Sequence, residues 1–167
     1  MNKKQWMAMM VLLTTASLAL GACSIAVDRN PDGSLRLEVN LPESTIQEEI
    51  AAALDDPLIT DLQADLRQGY IYVTAERKRV VGDETDMLTF RLDLGMKEEH
   101  LTAVISDAKI NGEPVDEAYV GIWNERLAKR LENAGKRNPD SSLQSVSVSD
   151  DSLDFIWRVE TPRSKGE

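Results

Sequence analysis

The chain reads as an α+β domain: one antiparallel sheet with one or two apolar helices on its concave face, in the order β-α-ββββ-α-ββ. Three observations predict this class. Apolar and polar residues alternate in a series of short segments, as in half-buried strands. Two other stretches carry their apolar residues at helical spacing instead. The strand-like segments from Leu58 to Ile105 are joined by short polar loops, which antiparallel neighbours can use and parallel ones cannot.

In chain order, the first signal is not part of the domain. Lys3 and Lys4 precede an uncharged run from Trp6 to Leu20, and the run closes on Leu20-Gly21-Ala22-Cys23. A basic start, a short apolar run and small residues at its end read as a secretory signal over residues 1–22. The run is too short to span a bilayer comfortably, which takes about 20 apolar residues. The last four residues resemble the lipobox of bacterial lipoproteins, which implies a diacylglycerol on the Cys23 thiol and cleavage after Ala22. Cys23 is the only cysteine in the chain, so an internal disulfide is excluded. Residues 23–34 read as a lipidated N-terminus and a tether that ends in the turn Asn30-Pro31-Asp32-Gly33.

The domain proper is expected over residues 35–160. Leu35, Leu37, Val39 and Leu41 alternate without a slip, and Pro42 ends that strand. Ser44 followed by Gln47 reads as a capping box, opening a helix that carries Ile46, Ile50 and Leu54 and stops at Asp55-Asp56-Pro57. Leu62, Ala64 and Leu66 share a face with Leu58 and Thr60. The segment from Tyr70 to Val81 is rich in β-branched and aromatic residues. After a turn at Gly82–Asp86 come Leu88, Phe90, Leu92 and Leu94, then a loop from Gly95 to His100, then Leu101–Ile105. Ser106 to Val115 reads as an irregular connector with an Asn111-Gly112 turn. Asp116 or Glu117 opens a second helix to about Asn133, with Val120, Trp123, Leu127 and Leu131 on one stripe and Gly135 as its C-terminal stop. A hairpin closes the domain, from Leu143 to Val148 and then through Leu153, Phe155, Trp157 and Val159. Residues 161–167 read as a disordered tail.

Composition narrows the function. Residues 1–22 hold two of the 19 Lys+Arg and none of the 29 Asp+Glu, so the net charge of −10 becomes −12 once they are removed. Such an acidic body is a poor electrostatic partner for nucleic acid or anionic lipid. The single histidine, His100, lies in the polar stretch Met96–His100, where a solvated loop residue is the simplest reading. The sequence has no Gly-x-Ser-x-Gly, no phosphate-cradling glycine loop and no His-Glu-x-x-His. Asp55-Asp56 and Asp150-Asp151-Asp154 lack the ligand spacing of a calcium loop and suit turn chemistry. The expectation is therefore a non-enzyme with no catalytic residue, cofactor or metal.

One family pattern accounts for the whole order. Leu41-Pro42-Glu43-Ser44-Thr45-Ile46 leads a strand into a helix, and a glycine turn precedes Tyr70-Ile71-Tyr72-Val73. Ile110-Asn111-Gly112-Glu113-Pro114-Val115 feeds a helix bearing Trp123-Asn124-Glu125-Arg126-Leu127. Over residues 35–160 this resembles small bacterial lipoproteins with domains related to the tubular lipid-binding (TULIP-like) superfamily. The resemblance implies a strongly bent antiparallel sheet wrapped around the helices, with an apolar groove that takes acyl chains. Its lining would be Ile46, Ile50 and Leu54 of the first helix and Val120, Trp123, Leu127 and Leu131 of the second. Leu62, Phe90, Leu92, Phe155 and Trp157 would face them from the sheet. The expected function is a cell-envelope lipoprotein, held by Cys23 on the outer face of the membrane or in an outer membrane, that binds a lipid or other hydrophobic ligand. The rival is a fully packed protein-interaction module of the envelope with no small-molecule ligand.

Overall fold

The computed structural model describes residues 24–54, 56–137 and 139–160. The signal segment, Cys23, Asp55 and the tail 161–167 lie outside the described residues. The chain is α+β and mostly antiparallel sheet. Its strands divide between a four-stranded and a five-stranded sheet rather than forming one.

The four-stranded sheet joins the two ends of the chain. β1 (Ser24–Arg29) turns into β2 (Leu35–Pro42), and β9 (Ser152–Val159) lies between β2 and β8 (Ser141–Val148). Residues 24–29 are thus a strand in full register with β2, not a tether. The turn between them is fixed by its own side chains. Asn30 N–H donates to the Ser34 carbonyl at 2.8 Å, and Gly33 takes a φ of +90°, open to glycine at little cost. The buried Ser34 hydroxyl donates to Asp32 at 2.7 Å and accepts from the Asn30 amide at 2.9 Å.

The helix α1 (Glu43–Leu54) starts directly after β2. It begins one residue before the expected cap, so Ser44 is an exposed residue of the first turn and not its N-cap. Glu43 is held instead by the strand that follows the helix, accepting from the Leu66 N–H at 3.4 Å. α1 has no basic residue in its last turn; Arg130 of the other helix donates to the Ala52 carbonyl at 2.8 Å and serves there.

The five-stranded sheet holds the four expected consecutive strands, β3 (Ile59–Arg67), β4 (Tyr70–Lys78), β5 (Thr85–Lys97) and β6 (His100–Ile110), and adds a two-residue β7 (Glu113–Pro114) in what reads as a connector. β4 ends three residues earlier than its composition suggests, leaving Val80 and Val81 exposed at the hairpin tip. β5 runs on through Gly95, and a two-residue turn at Glu98 and Glu99, both at positive φ, leads straight into β6. β6 also continues through Ser106–Ile110, which the sequence shows as irregular. The reason is a bulge: Asp107 takes a φ of +51° and the register with β5 steps between Thr89 and Arg91. Ile105 and Ala108 are both buried although three residues apart, so the strand persists while its alternation slips.

The second helix, α2 (Glu117–Lys136), is capped by Asp116, which accepts from the Ala118 N–H at 2.8 Å. It extends past Gly135, so that glycine is a helical residue rather than the stop. A Cβ there would lie 3.6 Å from the His100 ring, which packs beside it. α2 lies along β6. Its Asn124 side chain accepts from the Ile105 N–H at 2.7 Å and donates to the Ile105 carbonyl at 3.0 Å, taking the place of a neighbouring strand. The two sheets are stitched by backbone bonds from Leu143 to Glu99 at 2.8 Å and from Gly69 to Val148 at 3.0 Å. The core lies between the sheets and α1, with Ile71, Val73, Phe90 and Leu143 at its centre. No helix among the described residues is long and apolar enough to cross a membrane.

Candidate functional site

The residues expected to line a groove come together, but as packing. Ile46, Ile50, Leu62, Phe90, Leu92 and Phe155 are buried in one cluster, and Leu54, Val120, Trp123, Leu127, Leu131 and Trp157 pack half-buried against it. Among the twelve, Trp157 alone lines either of the two open clefts described below. α2 buries none of its residues fully, because it covers the side of β6 rather than entering the core.

The open apolar surface lies elsewhere, on the inner face of the four-stranded sheet. Register places Leu143, Trp157, Leu37 and Val27 in one row across β8, β9, β2 and β1. Exposure rises along that row, from 0% at Leu143, through half-buried Trp157 and Leu37, to 58% at Val27. In the adjacent row Val146 of β8 is half-buried and Phe155 is 8% exposed, and from there exposure rises through half-buried Val39 to 62% at Ile25. One face of one sheet is thus core at β8 and bare at β1, and the large exposed apolar side chains are the informative ones. A cleft of about 510 Å³ lies over the middle of it. Leu37, Val39, Trp157 and Val159 line its floor, and Arg137, Asp140 and Glu160 bring charge to its rim. That volume falls in the range of small-molecule sites. The Phe155 and Trp157 rings sit 6.4 Å apart and tilted, which holds the indole at the boundary between core and cleft.

The sequence reading missed Ile25 and Val27. Ser24-Ile25-Ala26-Val27 does alternate, but so short a run beside a turn reads as tether.

A second cleft, of about 610 Å³, is polar and lies between α1 and the outer side of β3 and β4, with Glu43, Gln47, Asp61, Asp65, Arg67 and Tyr72 among its lining. Its one cation, Arg67, is already paired. Arg67 forks onto Asp65 at 2.7 and 2.9 Å and lies over the Tyr72 ring at 4.7 Å, and Arg91 repeats the motif on Asp93 and Tyr70.

The shifted titrations have the same structural origin. Hydrogen bonds from the Ser34 side chain and backbone, then from Arg158, hold Asp32 down to about 2. Burial opposes the charged form of Asp56 most, yet bonds from Arg77 at 2.8 Å and the Leu58 N–H at 2.9 Å together lower it. Arg79 lowers Asp86, and Lys136 lowers Glu132. Of the others considered for a cation, Asp150 and Asp151 lie in the turn between β8 and β9, and Asp154 accepts from Asn40 at 2.7 Å and from Ser152 at 2.9 Å. Among the described residues no three carboxylate, histidine or cysteine side chains gather as a metal site. Comparison with family models, curated proteins and solved structures gave no match.

Proposed function

We propose that the chain is a lipoprotein of the cell envelope, anchored through Cys23, whose four-stranded sheet offers an apolar face to a lipid or other hydrophobic ligand. The observation that carries the reading is the exposure gradient from Leu143 to Val27, which leaves an apolar cleft floored by Leu37, Val39, Trp157 and Val159. On this reading the ligand site is the sheet's uncovered half, not a groove between sheet and helices. The tubular lipid-binding resemblance and its bent, wrapping sheet belong to the same proposal.

A second reading has its own support. The apolar side chains between sheets and helices pack against one another as one cluster, and β1 is an edge strand whose outer backbone groups have no neighbouring strand among the described residues. Both features suit a packed interaction module that binds a protein by strand addition.

Titration of the full chain with a fluorescent fatty acyl probe separates the two. The lipid reading expects saturable binding, weakened by Trp157→Ala and unchanged by Trp123→Ala. No saturable binding by the parent chain would overturn it in favour of the interaction module.

A further inference from the structure

The bare half of the sheet begins where the anchor ends. β1 starts at Ser24, immediately after Cys23, so no flexible spacer separates the lipidated residue from the folded domain. At about 3.3 Å per strand residue, Ile25 stands within roughly 7 Å of Cys23 and all of β1 within roughly 20 Å. Ile25, Val27 and Arg29 share the face that carries Leu37, Val39 and Trp157. We propose that this face of β1, β2 and β9 rests on the bilayer that holds the anchor, at the boundary between headgroups and acyl chains. The proposal rests on the reading of Cys23 as the acylated residue.

Three features favour a bilayer over other occupants. Acyl chains on Cys23 bring the start of β1 to the interface, whereas a protein partner would have to reach a strand already held there. The side chains suit that depth. Ile25 and Val27 are apolar and more than half exposed, and Trp157 is an aromatic of the kind that collects at interfaces. Arg29 carries a long stem with a charged end that reaches phosphates. The outer edge of β1, which no strand pairs among the described residues, sets the limit of insertion, because unpaired backbone groups are tolerated among hydrated headgroups and not in hydrocarbon. The contact is apolar rather than electrostatic, since the chain is strongly acidic and the rim of the cleft is mixed in charge. Docking should therefore occur on neutral phosphatidylcholine and persist in high salt.

The test uses the full chain, processed by its own cells and reconstituted into phosphatidylcholine vesicles. The parent chain is first exposed to a thiol reagent under denaturing conditions, where an acylated Cys23 gives no label. Val27→Cys and Ala26→Cys then place an environment-sensitive fluorophore on opposite faces of β1, at two exposed positions. The expected result is a blue-shifted Val27 label quenched by vesicles with brominated acyl chains, and an Ala26 label that stays water-like. A water-like Val27 label on a parent whose Cys23 is blocked would overturn the docking and leave the anchor standing. Equal quenching of both labels would overturn the face assignment. A shift that grows with protein density and not with bromination would mean that a second copy covers the face. A reactive Cys23 in the parent would overturn the anchor, and the docking with it.

Discussion

Asn124→Ala is expected to destabilise the domain more than a half-buried polar residue usually does. Among the described residues no strand pairs the outer edge of β6 at Ile105, and the Asn124 amide fills that place with bonds of 2.7 and 3.0 Å to one residue's N–H and C=O. Each such bond contributes about 0.5–1.5 kcal/mol net, and leaving a buried group without a partner costs about 1–3 kcal/mol. With α2 still lying over β6, water reaches the edge poorly, and we expect a loss of roughly 2 kcal/mol, within the span of those values. For a chain of this size that lowers the melting temperature by about 4–8 °C. Circular dichroism would follow the melting, and hydrogen exchange at the Ile105 amide would localise the effect. Asn124→Asp tests the mechanism. A carboxylate still accepts from the N–H but repels the Ile105 carbonyl, which raises its folded pKa above the unfolded value near 3.9. The deficit of that variant should therefore be small in acid and grow as pH rises through the raised pKa. Unchanged melting together with full Ile105 protection in Asn124→Ala would refute the edge-capping role.

Three further outcomes follow from particular contacts. Ser44→Ala should leave stability within about 0.5 kcal/mol, since Ser44 is an exposed residue inside α1, whereas Asp116→Ala should remove about 1 kcal/mol with the α2 cap; denaturant midpoints of the two variants compare them directly. Asp32 is depressed from 3.8 to about 2 in the fold, so its contribution is complete above the unfolded value and lost as pH falls through that window. Asp32→Asn should flatten the acid limb of a stability–pH profile there, measured by urea unfolding at stepped pH. Cys23→Ala should release the chain from membranes, a release followed by fractionation and immunoblotting; retention through a high-salt wash would mean that the uncleaved apolar run spans the membrane or that the docked face of β1, β2 and β9 is enough to hold the chain.

Much of the domain was legible in the sequence because strand and helix periods are local properties. Leu35–Leu41, Leu62–Leu66, Leu88–Leu94 and Leu153–Val159 alternate, and each is strand in the structure. The stripe of α2 and its Asp116 cap are equally local. Ile46, Phe90 and Phe155 were recognisable as apolar residues bound for an interior. What the pattern left open was whether that interior is packed or hollow, because lining and core draw on the same residue types.

Only the tertiary structure decided the rest. The bulge at Asp107 shifts the alternation by one residue, so a window that tests a single period sees irregular chain where the strand continues. The division into two sheets depends on β9 choosing β2, far away in sequence, as its neighbour. The candidate site depends on it too. Leu143, Trp157, Leu37 and Val27 look alike as apolar strand residues, and their sequence does not rank them. Their order across the sheet, with β8 against the core and β1 at the open edge, makes one of them core and another surface. Sequence by itself determined which side chains avoid water, because that is written in their chemistry. Which of them remain in contact with it was decided by long-range pairing, because burial belongs to the neighbours a strand acquires.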